Sequence, residues 1–168
     1  MPSSPSLQSD LVDKLTILQG VYDSSDKVEV QSLCCQFAVI LFCSWIEDEL
    51  DEIAISNVQS IALSQDEEEN FKKKLREISS ATASEGLKSY ILILGGRPLL
   101  YRVERKLGRA VGEFWGSGTI STCLSIRNSA AHSISNNASS YSKYAPNFLQ
   151  GLINACKIKL NEFSEALR

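Results

Sequence analysis

One short stretch of the chain holds the residues best suited to chemistry. Arg127, Asn128 and His132 lie within six positions, and His132 is the only histidine among the 168 residues. Histidine is the side chain that exchanges protons near neutral pH, and a guanidinium matches the oxygens of a phosphate group. Together these residue types predict chemistry on a phosphate.

Arg127 occupies a position that a helix of a soluble protein usually gives to an apolar side chain. Burying an unpaired guanidinium is costly, so it needs a carboxylate, a phosphate or water beside it. Glu47 is the candidate counter-charge, and a structural pair with Glu47 and direct substrate contact both stay open. Steps of three and four residues give the apolar face Ile120, Cys123, Leu124, Arg127, Ala131 and Ile134.

The spacing of the three residues limits how one helix can use them. On an ideal helix Arg127 and His132 are about 140° apart, which favours a helix end or bend and a site assembled from two subunits. Asn128 and His132 are four residues apart and share a face, so the amide can orient the ring. The plainer interpretation is that His132 is a cation interacting with the dipole at the end of its helix.

Composition indicates one ordinary globular domain over residues 1–168. Hydrophobic residues make up 43% and charged residues 22% of the chain, which is average for a soluble protein. The net charge of -3 gives no overall nucleic-acid signature. A local basic cluster is nevertheless a candidate RNA-binding surface, with an exposed polar face as the plainer alternative. It comprises Arg102, Arg105, Lys106 and Arg109.

The cysteines and the apolar segments bear on cofactors and location. Five cysteines form neither a metal motif nor an even disulfide set, so we expect no metal and no cofactor. Their odd number and the polar first ten residues favour the reducing cytoplasm. The strongest apolar run, 37–46, is roughly half of the ~20 residues that a membrane span requires. We therefore expect a core helix and no membrane.

Hydrophobic periodicity predicts helices almost throughout. A first helix has Leu7, Leu11, Leu15, Leu18 and Tyr22 on one face. A second, central helix covers about 27–55, and a third has acids 66–69 at its start and lysines 72–74 later. Its apolar face holds Phe71, Leu75 and Ile78.

The second half of the chain continues this pattern with one ambiguity. Residues 87–94 fit either a short strand or a buried helical turn, which Gly95 and Gly96 end. Residues 133–145 are predicted to be a loop. We expect an all-α, up-and-down bundle of about five or six helices. The two remaining apolar faces are Leu100, Val103, Leu107, Val111 and Phe114 after Pro98, and Leu149, Leu152, Ile153, Cys156, Leu160, Phe163 and Leu167 after Pro146.

The order of helices and the motif resemble the HEPN superfamily. The resemblance rests on a long helix with Glu47 just past its apolar centre and a late helix with Arg127, Asn128 and His132. That family's signature is arginine, a polar residue that is often asparagine, and histidine after four to six intervening residues. The branch is similar to the small stand-alone prokaryotic proteins of the RiboL-PSP type.

This resemblance implies a metal-independent endoribonuclease whose site lies at a homodimer interface. It further implies a toxin or antiviral effector with an RNA substrate and a possible antitoxin protein. Arg127 would bind the scissile phosphate, His132 would be general base or acid, and Asn128 would support it. The alternative is a non-catalytic HEPN module that binds a partner or a nucleotide in a toxin-antitoxin-like pair.

Two other kinds of site are disfavoured by the residues themselves. Ser129 and Ser133 flank the histidine without a nucleophile elbow or an acidic orienting residue, which argues against a serine hydrolase. The glycines at 95–96 and 116–118 lack the lysine and the spacing of a phosphate-binding loop.

Overall fold

A computed structural model describes residues 5–59, 64–76, 84–116, 118–132, 141 and 143–168. Six α-helices and one 3-10 turn, Val111–Glu113, are described there, and these ranges contain no strand. The predicted all-α class with five or six helices is confirmed. The helices are α1 (Pro5–Ser24), α2 (Val28–Gln59), α3 (Gln65–Arg76), α4 (Ser84–Leu107), α5 (Thr119–His132) and α6 (Pro146–Leu167).

The chain divides into two compact units. The first unit comprises Met1–Ile46 and Thr122–Cys156, and the second comprises Glu47–Ser121 and Lys157–Arg168. One boundary falls within α2, between Ile46 and Glu47. A single domain over the whole chain stays a prediction.

In the first unit, α1 has the apolar face that its periodicity predicts. Leu11 and Leu15 are buried, and the three other members of the predicted face are half-buried. The chain then leaves the helix at Ser24, and the side-chain amide of Gln31 donates to the carbonyl of Ser25 at 2.9 Å. This hydrogen bond fixes the turn into α2 because it satisfies a backbone acceptor that the helix end leaves open.

In the second unit, the ambiguous segment 87–94 is helical and belongs to α4. Leu87, Tyr90 and Ile91 are buried, at the spacing of one helix face. The Tyr90 hydroxyl donates a hydrogen bond to the carbonyl of Leu50 in α2, and burial raises the pKa of this phenol. The pair therefore anchors α4 against the second half of α2.

Glycines shape the segment that follows. At Gly96 the backbone has φ +66°, which breaks the regular helix of α4, and Pro98 lies in the first turn after the break. The prediction that this helix continues through Phe114 is wrong, because α4 ends at Leu107 and Gly108 has φ +64°. Such a left-handed residue terminates helices and is easiest for glycine. Val111 and Phe114 are buried as expected, but from the 3-10 turn and the residue after it.

The last helix agrees with its prediction. It begins at Pro146, and the predicted inner face is buried except for Leu152, which is half-buried. In α3, Leu75 is buried and Phe71 half-buried, whereas Ile78 lies outside the described residues. Most of the loop predicted at 133–145 also lies outside them, although Tyr141 and Tyr144 are described and buried.

Helix α2 was predicted to end at about residue 55, but it continues to Gln59. Its Val28–Asn57 part is long and apolar enough to cross a membrane by length and composition, and half of its most apolar window is buried inside the protein. A core helix of a soluble protein has the same properties. The burial of Val39, Phe42 and Ile46 is what a core helix requires.

Candidate functional site

Helix α5 positions Arg127 as the periodicity predicts. Of the predicted face, Ile120 and Cys123 are buried, Leu124 and Arg127 are half-buried, and the side chains of Ala131 and Ile134 lie outside the described residues. Arg127 also has an interaction partner in the structure. A half-buried guanidinium is held in place by its surroundings while part of it stays accessible to an anion.

A contact between two cysteines holds α5 against α2 within the first unit. The Cys43 thiol donates to the carbonyl oxygen of Cys123 at 3.6 Å, a distance suited to a sulfur donor. Arg127 follows Cys123 by one helical turn, so this contact fixes the backbone from which the guanidinium extends. In the second unit, Glu47 is half-buried and has an interaction partner. Its pairing with Arg127 stays a prediction.

The backbone of α5 includes the other two motif residues. His132 is the last residue of the helix, the position that the sequence predicts for it. The side chains of Asn128 and His132 lie outside the described residues, so the predicted orientation of the ring by the amide stays a prediction.

The only permanently charged side chain of α5 is positive. Its 14 residues include no aspartate or glutamate, and Arg127 is its one permanent cation. A helix of this composition cannot neutralise the guanidinium from its own side chains. Any counter-charge has to come from another element or from a bound anion.

Lys143 adds a second cation that the sequence analysis missed. Burial raises the pKa of the Cys123 thiol to about 11, and the charge of Lys143 acts in the opposite direction by lowering it. The Lys143 ammonium therefore interacts electrostatically with the buried thiol of Cys123, which lies one turn before Arg127 in α5. Its Nζ lies 5.3 Å from the centre of the Tyr144 ring, and the side chain is exposed. Local sequence gives no signal for this electrostatic interaction, because Lys143 and Cys123 are far apart in the chain.

Three of the four candidate RNA-binding cations contact the last helix instead. Arg102 donates to the carbonyl of Leu167 at 3.0 Å, and Lys106 donates to the carbonyl of Glu165 at 3.3 Å. Arg109 forms an ion pair of 2.7 Å with Glu162. Basic groups at carbonyls of a C-terminal turn satisfy acceptors that the helix itself leaves open. These contacts give Arg102, Lys106 and Arg109 a structural role in the second unit.

Arg105 differs from these three. Its side chain is exposed, and within the described ranges it has no hydrogen-bond or ion-pair partner. Among the four residues of the predicted basic cluster, Arg105 is therefore the one that no other described group contacts by a hydrogen bond or ion pair.

Metal ligands do not gather in the part of the chain that the structure describes. No group of three or more histidine, cysteine, aspartate or glutamate residues there could hold a metal ion. All five cysteines are buried free thiols. Burial raises the pKa of Cys35 to about 11, so this thiol stays protonated at neutral pH.

Comparisons with protein-family models, with curated proteins and with solved structures find no match to this chain. The function is therefore inferred from the residues and the geometry of this chain alone.

Proposed function

We propose that the protein is a cytoplasmic, homodimeric endoribonuclease of the HEPN type that cuts RNA without a metal ion, as a toxin or antiviral effector. One observation carries the proposal. A half-buried arginine lies on a helix that has no aspartate or glutamate and whose last residue is the only histidine of the chain. The free thiols of all five cysteines support a reducing compartment.

The proposed reaction uses the RNA itself as nucleophile. A histidine takes the proton of the 2′-hydroxyl, the 2′-oxygen bonds to the adjacent phosphorus, and the bond to the 5′-oxygen breaks as that oxygen receives a proton. Arg127 stabilises the negative charge that accumulates on the phosphorus oxygens in the transition state. Asn128 supports His132. The products are a 2′,3′-cyclic phosphate and a 5′-hydroxyl.

A homodimer completes the proposed site. One step needs both a proton acceptor and a proton donor, whereas one chain has a single histidine. A two-fold axis near α5 brings two histidines and two arginines to one cleft. Sedimentation is expected to detect a dimer at tens of micromolar protein. Cleavage by a protein that sediments only as a monomer would contradict this arrangement.

Lys143 is expected to assist phosphate binding. The charge of its exposed ammonium acts on the Cys123 thiol, one turn before Arg127 in α5, so we expect it to add to the positive charge that attracts the phosphate. Lys143→Ala is expected to lower kcat/KM for RNA by about tenfold, the usual effect of losing one charged hydrogen bond. Lys143→Arg is expected to retain most of the activity because it keeps the charge.

The matched control is Lys27→Ala, which removes another exposed lysine of the first unit. Steady-state cleavage of a fluorescent RNA measures all three variants. Equal activities of Lys143→Ala and Lys27→Ala would remove Lys143 from the site.

RNA cleavage by the purified full chain in EDTA tests the proposal as a whole. Fragments that appear with wild-type protein and are absent with a site variant are the expected result. Intact RNA after prolonged incubation with folded dimer would contradict it.

The alternative is a non-catalytic HEPN module that binds a protein partner or a nucleotide in a toxin-antitoxin-like pair. One observation favours it: three predicted RNA-binding cations, Arg102, Lys106 and Arg109, contact α6. The same EDTA assay separates the two functions, because only the nuclease yields fragments.

A further inference from the structure

The second half of α4 presents an arginine, a tyrosine and an arginine on one exposed stripe. Arg97, Tyr101 and Arg105 follow one another at intervals of four residues, so they lie on the same helix face, with the two arginines about 12 Å apart along the axis. All three are exposed, and Tyr101 is exposed to 70%. We refer to these three residues as the arginine–tyrosine stripe.

The charge of this stripe is not neutralised within its own helix. Positions three and four residues from Arg97 hold leucine, isoleucine and tyrosine, and those around Arg105 hold tyrosine, arginine and glycine. Neither arginine has an ion-pair partner in the described ranges. Glu104, the acid nearest in sequence, accepts a hydrogen bond from the backbone N–H of Val111 at 3.2 Å. The carboxylate thus serves the 3-10 turn.

Among the residues that the structure describes, no hydrogen bond, ion pair or ring contact gives these three side chains a stabilising role. Arg97 lies in the first turn after the break at Gly96, where the positive end of the helix dipole disfavours a cation. A tyrosine ring that stays 70% exposed contributes little hydrophobic stabilisation. By contrast, the basic residues on the neighbouring face of α4 hold the end of α6.

We propose that the arginine–tyrosine stripe binds single-stranded RNA. The two guanidinium groups contact backbone phosphates, and the Tyr101 ring stacks on a base between them. Alternating cationic and aromatic side chains suit a single strand, because its base faces are accessible, whereas a duplex hides them. The choice of RNA as the polymer rests on the proposed function.

Binding of a labelled single-stranded 2′-O-methyl RNA, followed by fluorescence anisotropy, tests the stripe without cleavage. The R97A/R105A variant is expected to raise Kd at least tenfold and to reduce the slope of log K against log salt by about 1.4, the effect of two lost phosphate contacts. Tyr101→Ala is expected to raise Kd about fivefold or more through lost stacking. Tyr101→Phe keeps the aromatic ring and is expected to bind like wild type.

The matched control is K73A/K74A, which removes the same charge from exposed positions of α3. It is expected to leave Kd within about twofold, since surface lysines away from a contact change binding little. Equal effects of R97A/R105A and K73A/K74A would overturn the proposal. So would a Tyr101→Ala variant that binds the single strand like wild type, or stripe variants that change only the oligomeric state.

Cleavage assays on the same variants separate this inference from the nuclease assignment. Stripe-dependent binding without any cleavage of ordinary RNA would support the stripe and contradict the nuclease. Cleavage of ordinary RNA by variants whose RNA binding does not depend on the stripe would support the nuclease and contradict the stripe.

Discussion

The His132→Ala variant is expected to lose RNA cleavage while keeping its fold. The chain has no other histidine to accept or donate the proton. General acid–base catalysis commonly increases a reaction rate by about 10²–10⁴-fold. Because His132 ends α5, its truncation is expected to change the free energy of unfolding by no more than about 1 kcal/mol. Cleavage rates and thermal denaturation of the same preparation measure both effects.

The companion variant Arg127→Ala is expected to lose activity about a hundredfold or more, because the transition state loses its cationic stabiliser. Arg127→Lys keeps the charge without the planar fork and is expected to recover only part of the rate. Ser125→Ala, at an exposed position of the same helix, is the control and is expected to cleave at the wild-type rate. If His132→Ala and Ser125→Ala cut RNA equally well, the assigned role of His132 is wrong.

Phe114→Ala is expected to cause the largest loss of stability, about 3–5 kcal/mol in the free energy of unfolding. The ring is fully buried and lies 4.9 Å from the Trp115 ring and 5.6 Å from the Phe163 ring, between centres. The cations of Arg109 and Lys159 lie 5.5 and 5.4 Å from its centre. Truncation leaves a cavity and removes both cation–π contacts.

Urea denaturation followed by circular dichroism measures this loss. Phe148→Ala is the matched control, since that phenylalanine is 43% exposed and its truncation leaves no buried cavity. Phe114→Leu is expected to recover part of the loss by filling volume without an aromatic ring. A Phe114→Ala variant no less stable than Phe148→Ala would show that this cluster does not hold the second unit together.

Periodicity predicted the helices whose buried face follows from the spacing of apolar residues within the helix itself. Leu11 and Leu15 in α1 and Leu149, Ile153 and Leu160 in α6 are buried where spacing of three and four residues puts them. It failed after Leu107, because the apolar pattern continues through the left-handed turn at Gly108. It also left 87–94 undecided, since a short apolar run fits a strand and a buried helix equally.

The candidate site was predictable only in part. The position of Arg127 on a buried face follows from periodicity, and its half-burial in the structure agrees with it. The roles of Arg102 and Lys106 depend on carbonyls that lie 65 and 59 residues away in the chain, and no local pattern reports such contacts. The electrostatic interaction of Lys143 with Cys123 was missed for the same reason.

Analysis of the cleavage products made in EDTA tests the central claim most directly. The purified protein is incubated with an end-labelled RNA, and the new ends are identified by treatment with phosphatase and polynucleotide kinase. We expect 2′,3′-cyclic phosphate and 5′-hydroxyl ends, because the nucleophile is the 2′-hydroxyl. The cleavage rate in EDTA is expected to equal the rate without EDTA. Cleavage that requires Mg²⁺ and leaves a 5′-phosphate would contradict it, since water would then be the nucleophile.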